Sequence, residues 1–300
     1  MGSTAVLLLR LFSRLPLSFN HWVGRRLGAL VWRFGKRERQ VALANLQFCF
    51  PDSDREWRQR IARQSIMSMG EAMLEAPRLW HLSSEQLMRR LENPDVLEEI
   101  LAVYRQGKGL VIASPHLGSW EYAGLLFAAH TAMISLFRPP KHERAGDYIK
   151  KARQRTGGVL VPTDGSGIRA LSRALIRGDC MGMLPDQEPS RGNGVYADFF
   201  GRPAYTMFLL PRLVQKRRPP VFFVFSERLA GGRFRLHSLR AEEALYSADP
   251  ATACAALNRS VETLIRLRID QYNWNYKRFL AQPDGSDIYK QGNDSPESEV

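Results

Sequence analysis

The sequence predicts an α/β fold: a mostly parallel or mixed sheet flanked by helices, preceded by an N-terminal hydrophobic and amphipathic helix that touches a membrane. Three observations carry this. Beyond Pro94, short apolar runs of strand length alternate with stretches of helical periodicity, the signature of βαβ units. Hydrophobic residues make up 44% and charged residues 24% of the 300 residues, so a sizeable core can be buried and general disorder is excluded. Ahead of that region, apolar side chains recur at three- and four-residue spacing beside a row of arginines.

The N-terminal element comes first. Val6, Leu7, Leu8, Leu9, Leu11 and Phe12 are apolar, but Arg10, Arg14 and Pro16 interrupt them. The run falls short of the roughly 20 apolar residues that cross a bilayer. Residues 1–9 hold no basic side chain and no small-residue cleavage site follows, so no secretory signal is read here. Phe19, Trp22, Val23, Leu27, Leu30, Val31 and Phe34 then share a helical face. Arg25, Arg26, Arg33, Lys36, Arg37 and Arg39 lie beside and after them. Such a helix settles in an anionic membrane interface; the alternative is a surface helix packed on the core. The chain thus divides into a membrane-associated segment over 1–35, a globular domain over 36–282 and a polar, acidic, disordered tail over 283–300.

Residues 38–75 read as helical with a turn at Phe50–Asp54. A helix through Val96, Leu97, Ile100, Leu101 and Val103 ends at Gly107-Lys108-Gly109. Leu110–Ala113 follows as a buried strand, since a short continuous apolar run suits a parallel sheet. Then come a helix over 118–130, a strand over Ala132–Leu136, a helix over 141–155, a strand over Val159–Val161 and a helix over 167–177. Met181–Leu184 is the next strand, 205–217 a helix and Val221–Phe225 a strand. Phe234 and Leu236 alternate with Arg233, Arg235 and His237 as in an edge strand. Leu257, Val261, Leu264, Ile265 and Arg268 mark a closing helix.

A formal net charge of +13 implies an anionic partner: nucleic acid, an anionic membrane, or a phosphorylated or acidic substrate. The three cysteines, Cys49, Cys180 and Cys254, are far apart, with no CxxC and no Cys/His cluster. They suggest buried thiols in a reducing compartment rather than disulfides or zinc.

His116 and Glu121 form an H-x4-E pattern. Six histidines, with acids at one position in ten, give about 0.6 such matches by chance, and His142/Asp147 and His237/Glu242 match as well. Context separates them. Only His116 follows a strand directly, through Ser114-Pro115, with Gly118 two residues on and a helix after it. Residues five apart on one helix are turned about 140° from each other and do not meet. With His116 in the turn and Glu121 in the first helical turn, the carboxylate is expected to reach back to one imidazole nitrogen. The other nitrogen then faces the space above the strand ends, where open α/β sheets bind ligands. A carboxylate fixes the tautomer and stabilises the imidazolium. No G-x-S-x-G elbow is present, so the nucleophile should be the substrate's own hydroxyl.

Two further constellations sit at strand ends. One is Leu184-Pro185-Asp186-Gln187-Glu188-Pro189, continuing through Gly192 and Gly194 to Phe199-Phe200-Gly201-Arg202-Pro203; it suits an active-site wall or a plain loop. The other is Phe137-Arg138-Pro139-Pro140-Lys141, where Arg138 could clamp a phosphate or an oxyanion, or sit solvated on the surface. Walker A, dinucleotide and HExxH motifs are missing, as is any recognisable nucleic-acid module. No cofactor and no metal is expected.

With these residues in view, the chain resembles the late acyltransferases of lipid A biosynthesis, within the lysophospholipid-type acyltransferase superfamily. The shared features are the basic hydrophobic N-terminus, Ala42-Leu43-Ala44-Asn45-Leu46 with Phe50-Pro51, and the His116/Glu121 box. Arg138-Pro139, Pro185-Asp186-Gln187 and the aromatic–basic stretch Tyr272–Phe279 complete the set. The resemblance implies an enzyme at the cytoplasmic face of the inner membrane. It would move an acyl chain from acyl carrier protein to a hydroxyl of a lipid A precursor, an anionic glycolipid. His116 would be the general base and Glu121 its partner; Arg138, Asp186, Gln187, Gly118 and Trp120 would contact substrate. The last box departs from the usual His-Arg-Arg, reading Asn275-Tyr276-Lys277-Arg278, which leaves the acceptor open. Rival readings are another lipid acceptor (a lysophospholipid or aminolipid), a coenzyme A donor, or a non-catalytic basic protein on membrane or nucleic acid.

Overall fold

The computed structural model describes residues 2–140 and 142–290. Four helices lead the chain: α1 (Gly2–Arg14), α2 (Leu17–Phe34), α3 (Lys36–Cys49) and α4 (Arg55–Leu79). Asp54 caps α4 by accepting from Trp57 N–H, which makes Phe50–Asp54 the turn read from the sequence. Then follow α5 (Ser84–Met88), α6 (Pro94–Tyr104), β1 (Leu110–Ala113), α7 (Trp120–Ala128), β2 (Met133–Leu136), α8 (Glu143–Arg153), β3 (Val159–Val161), α9 (Gly165–Arg177) and β4 (Cys180–Met183). The chain ends through β5 (Gly194–Phe199), β6 (Arg202–Met207), α10 (Leu209–Val214), β7 (Val221–Arg228), β8 (Phe234–Arg240) and α11 (Pro250–Leu267).

The main sheet has the order β3-β2-β4-β1-β7-β8. Its first five strands are parallel and β8 pairs antiparallel with β7 at the edge. The mixed sheet flanked by helices is the expected α/β architecture. Side chains alternate across each strand, and the two faces bury separate cores. Val111, Ala113, Met181, Val221, Phe223 and Phe225 pack with α3, α4, α9 and α11 on one side. Leu110, Ile112, Cys180 and Val224 pack with the end of α4 and with α5, α6 and α7 on the other. Burial on both faces is why β1 reads as an unbroken apolar run, whereas edge strand β8 alternates.

Three expectations are corrected. The glycine-rich stretch after Pro189 is a β5–β6 hairpin, not an open loop; Phe200 and Gly201 both take positive φ, 53° and 69°, at its two-residue turn. The helix expected over 205–217 is shorter, because β6 runs to Met207 and α10 begins only at Leu209. The tail expected to be disordered from 283 packs as far as 290: Tyr289 donates to Asn45 Oδ1 and accepts from Phe279 N–H. The remaining tail residues, 291–300, lie outside the described residues.

Helix α2 lies close on α4 through glycines. A Cβ on Gly24 would meet Gly70 O at 2.4 Å, and one on Gly70 would meet Gly24 O at 2.2 Å. The opposite faces of α1 and α2 remain bare, with Leu7, Leu8, Leu11, Phe19, Trp22, Leu27, Leu30, Val31 and Phe34 exposed. Among the described residues no helix is long and apolar enough to cross a membrane.

Candidate active site

Strand register assembles the site. β1 and β4 are neighbours, with Ala113 opposite Met183. His116 lies three residues beyond Ala113 and Asp186 three beyond Met183, so parallel pairing brings the two side by side above the carboxyl ends of the strands. That edge is where ligands bind open α/β sheets.

Asp186 holds His116 twice. One carboxylate oxygen accepts from the imidazole Nδ1–H at 2.9 Å and the other from the His116 backbone N–H at 2.9 Å. Burial alone would raise the Asp186 carboxyl. The charge of His116 and these hydrogen bonds outweigh it, and the acid sits below the usual carboxylate range. With Nδ1 donating, the lone pair is on Nε2, towards which the Gln187 side-chain amide points at 3.4 Å. The Trp120 ring stands 5.2 Å from the imidazole. Asp186, Gln187 and Trp120 therefore gather around His116.

Glu121 does not take the expected position. Its carboxylate accepts from Trp80 Nε1–H at 2.6 Å and from Arg153 Nε–H at 3.0 Å, with a second, very short bond from Arg153 Nη2. The imidazole nitrogen it was expected to orient is occupied by Asp186. Glu121 heads α7, whose first turn points across to α4 and α8. Arg153 in turn lies over the Trp80 and Phe137 rings, at 5.7 and 5.5 Å. Trp80 and Arg153 were not signalled by the sequence: Trp80 reads as a core aromatic, and Arg153 ends the solvated-looking run Lys150-Lys151-Ala152-Arg153.

The loop between β1 and α7 is tied down at each peptide. Asn273 N–H donates to His116 O, Gly118 N–H to Gln271 O and Ser119 N–H to Ser226 O. Gly118 has φ 58°, and a Cβ there would sit 2.2 Å from Ser226 O. Only glycine fits both the left-handed turn and the approach of β7. The aromatic–basic stretch is the floor beneath: Asn45 Nδ2 donates to Trp274 O and Tyr276 O, and Tyr276 OH accepts from Glu188 N–H. Burial, and then the nearby Asp186 charge, raise the Tyr272 hydroxyl well above its usual range.

Arg138 sits on the exposed loop after β2, next to Phe137 beneath Arg153. The other two H-x4-acid matches form no such pairs: His237 bonds Glu227 at 2.8 Å while Glu242 binds Arg259, and His142 lies exposed before α8. No thiol is poised to react. All three cysteines are buried, and burial pushes Cys180 and Cys254 up to about 12 and Cys49 higher still. Among the described residues no group of histidine, cysteine or acidic side chains could hold a metal ion.

The geometry offers an imidazole whose Nδ1–H is held by a carboxylate, above the carboxyl ends of the parallel strands β1 and β4. Comparison with known proteins agrees with an acyl-transfer chemistry. Residues 2–281 match the family of bacterial lipid A biosynthesis acyltransferases. The lipid A biosynthesis palmitoleoyltransferase of Escherichia coli K12 is 26% identical over 93% of this chain and 91% of its own length. The lauroyltransferase of the same organism is 25% identical over 91% and 89%, and its myristoyltransferase 25% identical over 90% and 84%. These names carry three different acyl groups at nearly equal identity, so similarity selects none of them. What it fixes is membership: the chain is an acyltransferase belonging to the bacterial lipid A biosynthesis acyltransferase family.

Proposed function

We propose that the enzyme transfers an acyl chain from acyl carrier protein to a hydroxyl of an anionic lipid A precursor, at the cytoplasmic face of the inner membrane. The observation that carries this is the Asp186–His116 pair, which leaves Nε2 as an acceptor beside the strand ends. The acceptor hydroxyl gives its proton to Nε2 as its oxygen attacks the thioester carbonyl. The new C–O bond forms, the C–S bond breaks, and the departing thiolate takes the proton back from the imidazolium. An aliphatic hydroxyl is a poor nucleophile near neutral pH, and a positioned imidazole supplies what it lacks. Glu121 acts here through the Trp80–Arg153 clamp, shaping the wall beside His116. Arg138, exposed at the same edge, would meet an acceptor phosphate, where its planar fork suits bidentate contact. Gln187, Gly118 and Trp120 line the pocket around the reacting hydroxyl.

The test is direct. Purified enzyme is given an underacylated lipid A precursor with acyl-acyl carrier protein or acyl-coenzyme A, and products are weighed by mass spectrometry. One acyl increment on the precursor, faster from the carrier protein, is the expected result. Increments on lysophospholipid alone would move the acceptor assignment, preference for coenzyme A would move the donor, and no increment would overturn the reading.

The membrane side of the proposal rests on α1 and α2. Their exposed apolar residues stand beside cations laid over rings, Arg26 over Trp22 and Arg33 over Phe34, both at 5.6 Å. Each surface cation contributes about 1 kcal/mol to binding an anionic leaflet. Replacing both Arg26 and Arg33 by alanine should therefore weaken cosedimentation with phosphatidylglycerol vesicles about 20- to 30-fold. Neutral vesicles should show little difference. Equal binding of the two proteins to anionic vesicles would count against α2 as the contact.

A further inference from the structure

Arg228, at the end of β7, belongs to none of the groups assigned above, yet it is buried and reaches the loop that carries His116. Its Nη2 donates to Gly118 O at 3.0 Å and to Glu75 Oε1 at 2.7 Å. Its Nε donates to Glu75 Oε2 at 2.8 Å, and its Nη1 to Ser68 Oγ at 2.9 Å. Glu75 Oε2 also takes the imidazole of His21 at 2.7 Å, and His21 belongs to α2. All the side chains in this chain of contacts are buried. It runs unbroken from the helix with the exposed apolar face to the catalytic loop.

We infer that Arg228 is a positioning residue for acyl transfer, holding the Gly118 carbonyl and hence His116, and that Glu75 and His21 make its seat depend on how α2 rests on α4. The inference rests on His116 being the base. Among the described residues, the other hydrogen bonds to the loop backbone come from backbone groups, from Asp186 and from the loop's own Ser114 hydroxyl. Among the described residues Arg228 alone grips a carbonyl of the loop with a charged side chain, and that side chain has no freedom of its own: four of its five N–H donors are committed. A guanidinium fork fixes its partners in a plane, whereas an ammonium is a rotatable point charge on a shorter reach. Arg228→Lys keeps the charge beside Glu75 and loses the simultaneous hold on Gly118 and Ser68. Misplacing a reacting group by about 1 Å can cost 10²-fold in rate without touching substrate binding.

The experiment compares full-length wild-type enzyme with Arg228→Lys, His21→Leu and His21→Gln, using acyl-acyl carrier protein and an underacylated lipid A precursor. Arg228→Lys should lose roughly 10²-fold in kcat with both KM values nearly unchanged, the mark of an interaction felt in the transition state alone. His21→Leu should lower kcat several-fold, and His21→Gln, whose amide can again donate to Glu75, should restore it. Wild-type kcat in Arg228→Lys, or kcat and KM shifting together, overturns the positioning role. Wild-type kcat in His21→Leu overturns the link to α2. Should Arg228→Lys fail to fold, the His21 pair decides alone. An active His116→Ala would instead sink the reading beneath, which keeps the two failures apart.

Discussion

His116→Ala should turn over about 10²–10⁴-fold more slowly than wild type, the usual contribution of a general base, with its fold intact. The side chain is partly exposed at the strand ends and packs into neither core, so its loss removes chemistry and little stability. Asp186→Asn is the sharper test. Asp186 accepts two hydrogen bonds at once, from the backbone N–H and from Nδ1–H of the same histidine. An asparagine has one acceptor oxygen and one donor amide. If the oxygen serves the backbone, the NH2 faces Nδ1 and drives the proton to Nε2, which abolishes the base. If it serves Nδ1, two donors collide at the backbone. Either way the imidazolium loses its countercharge. The comparable change in a Ser-His-Asp site costs about 10⁴-fold, and a loss of that order is expected here. Glu121→Gln should cost less, since it weakens a clamp on Arg153 and leaves the imidazole its partner. His142→Ala and His237→Ala should stay active. Single-turnover rates with saturating donor and acceptor, beside circular dichroism of each variant, check all five. Near-normal turnover in His116→Ala or Asp186→Asn would remove the base assignment.

The strands and the turn that carries His116 were legible because parallel, doubly buried strands have a plain signal. Leu110–Ala113 is apolar throughout, and Ser114-Pro115 ends it. Strand order was not legible. Nothing local in 110–116 or 180–187 says that β1 and β4 are neighbours, so Asp186 read as a residue of the wall rather than as the partner of His116. Glu121 was the acid near in sequence; Asp186 is the acid near in space. The hairpin over 194–207 was hidden by Gly194, Gly201 and Pro203, which resemble a loop. Its strand alternation is real, but it appears only once Phe199 and Phe200 are seen packed on Phe50, Trp274 and Phe279. The buried pair Glu75–Arg228 was invisible for another reason. Each half sits among residues that look ordinary for its element, and only the fold removes both from water.

The contact of α2 with α4 went unread in the sequence, although Gly24 and Gly28 stand four apart in α2. Its cost when broken should be large. Gly70→Val places a Cβ 2.2 Å from Gly24 O, and the obstacle is backbone, which no rotamer change can move aside. A Cβ on Gly28 would likewise meet Met67 Cα at 2.5 Å, so α2 cannot slide along α4 to escape. It has to lift away. Lifting stretches the 2.7 Å bond of His21 to Glu75 and draws water towards a buried charge pair. Overpacking typically costs about 1–3 kcal/mol and occasionally more; with the buried pair disturbed as well, Gly70→Val should lie at or above the top of that range. Gly124→Ala supplies the contrast. Gly124 lies inside α7, a Cβ there meets nothing within 4 Å, and its φ is not positive. Alanine should then stabilise the helix by about 0.5–1 kcal/mol. Urea unfolding of the two variants in detergent separates these outcomes by the sign of the midpoint shift. A Gly70→Val midpoint equal to that of wild type would mean that α2 does not pack on α4 through these glycines, and that the first helices are free to leave the domain.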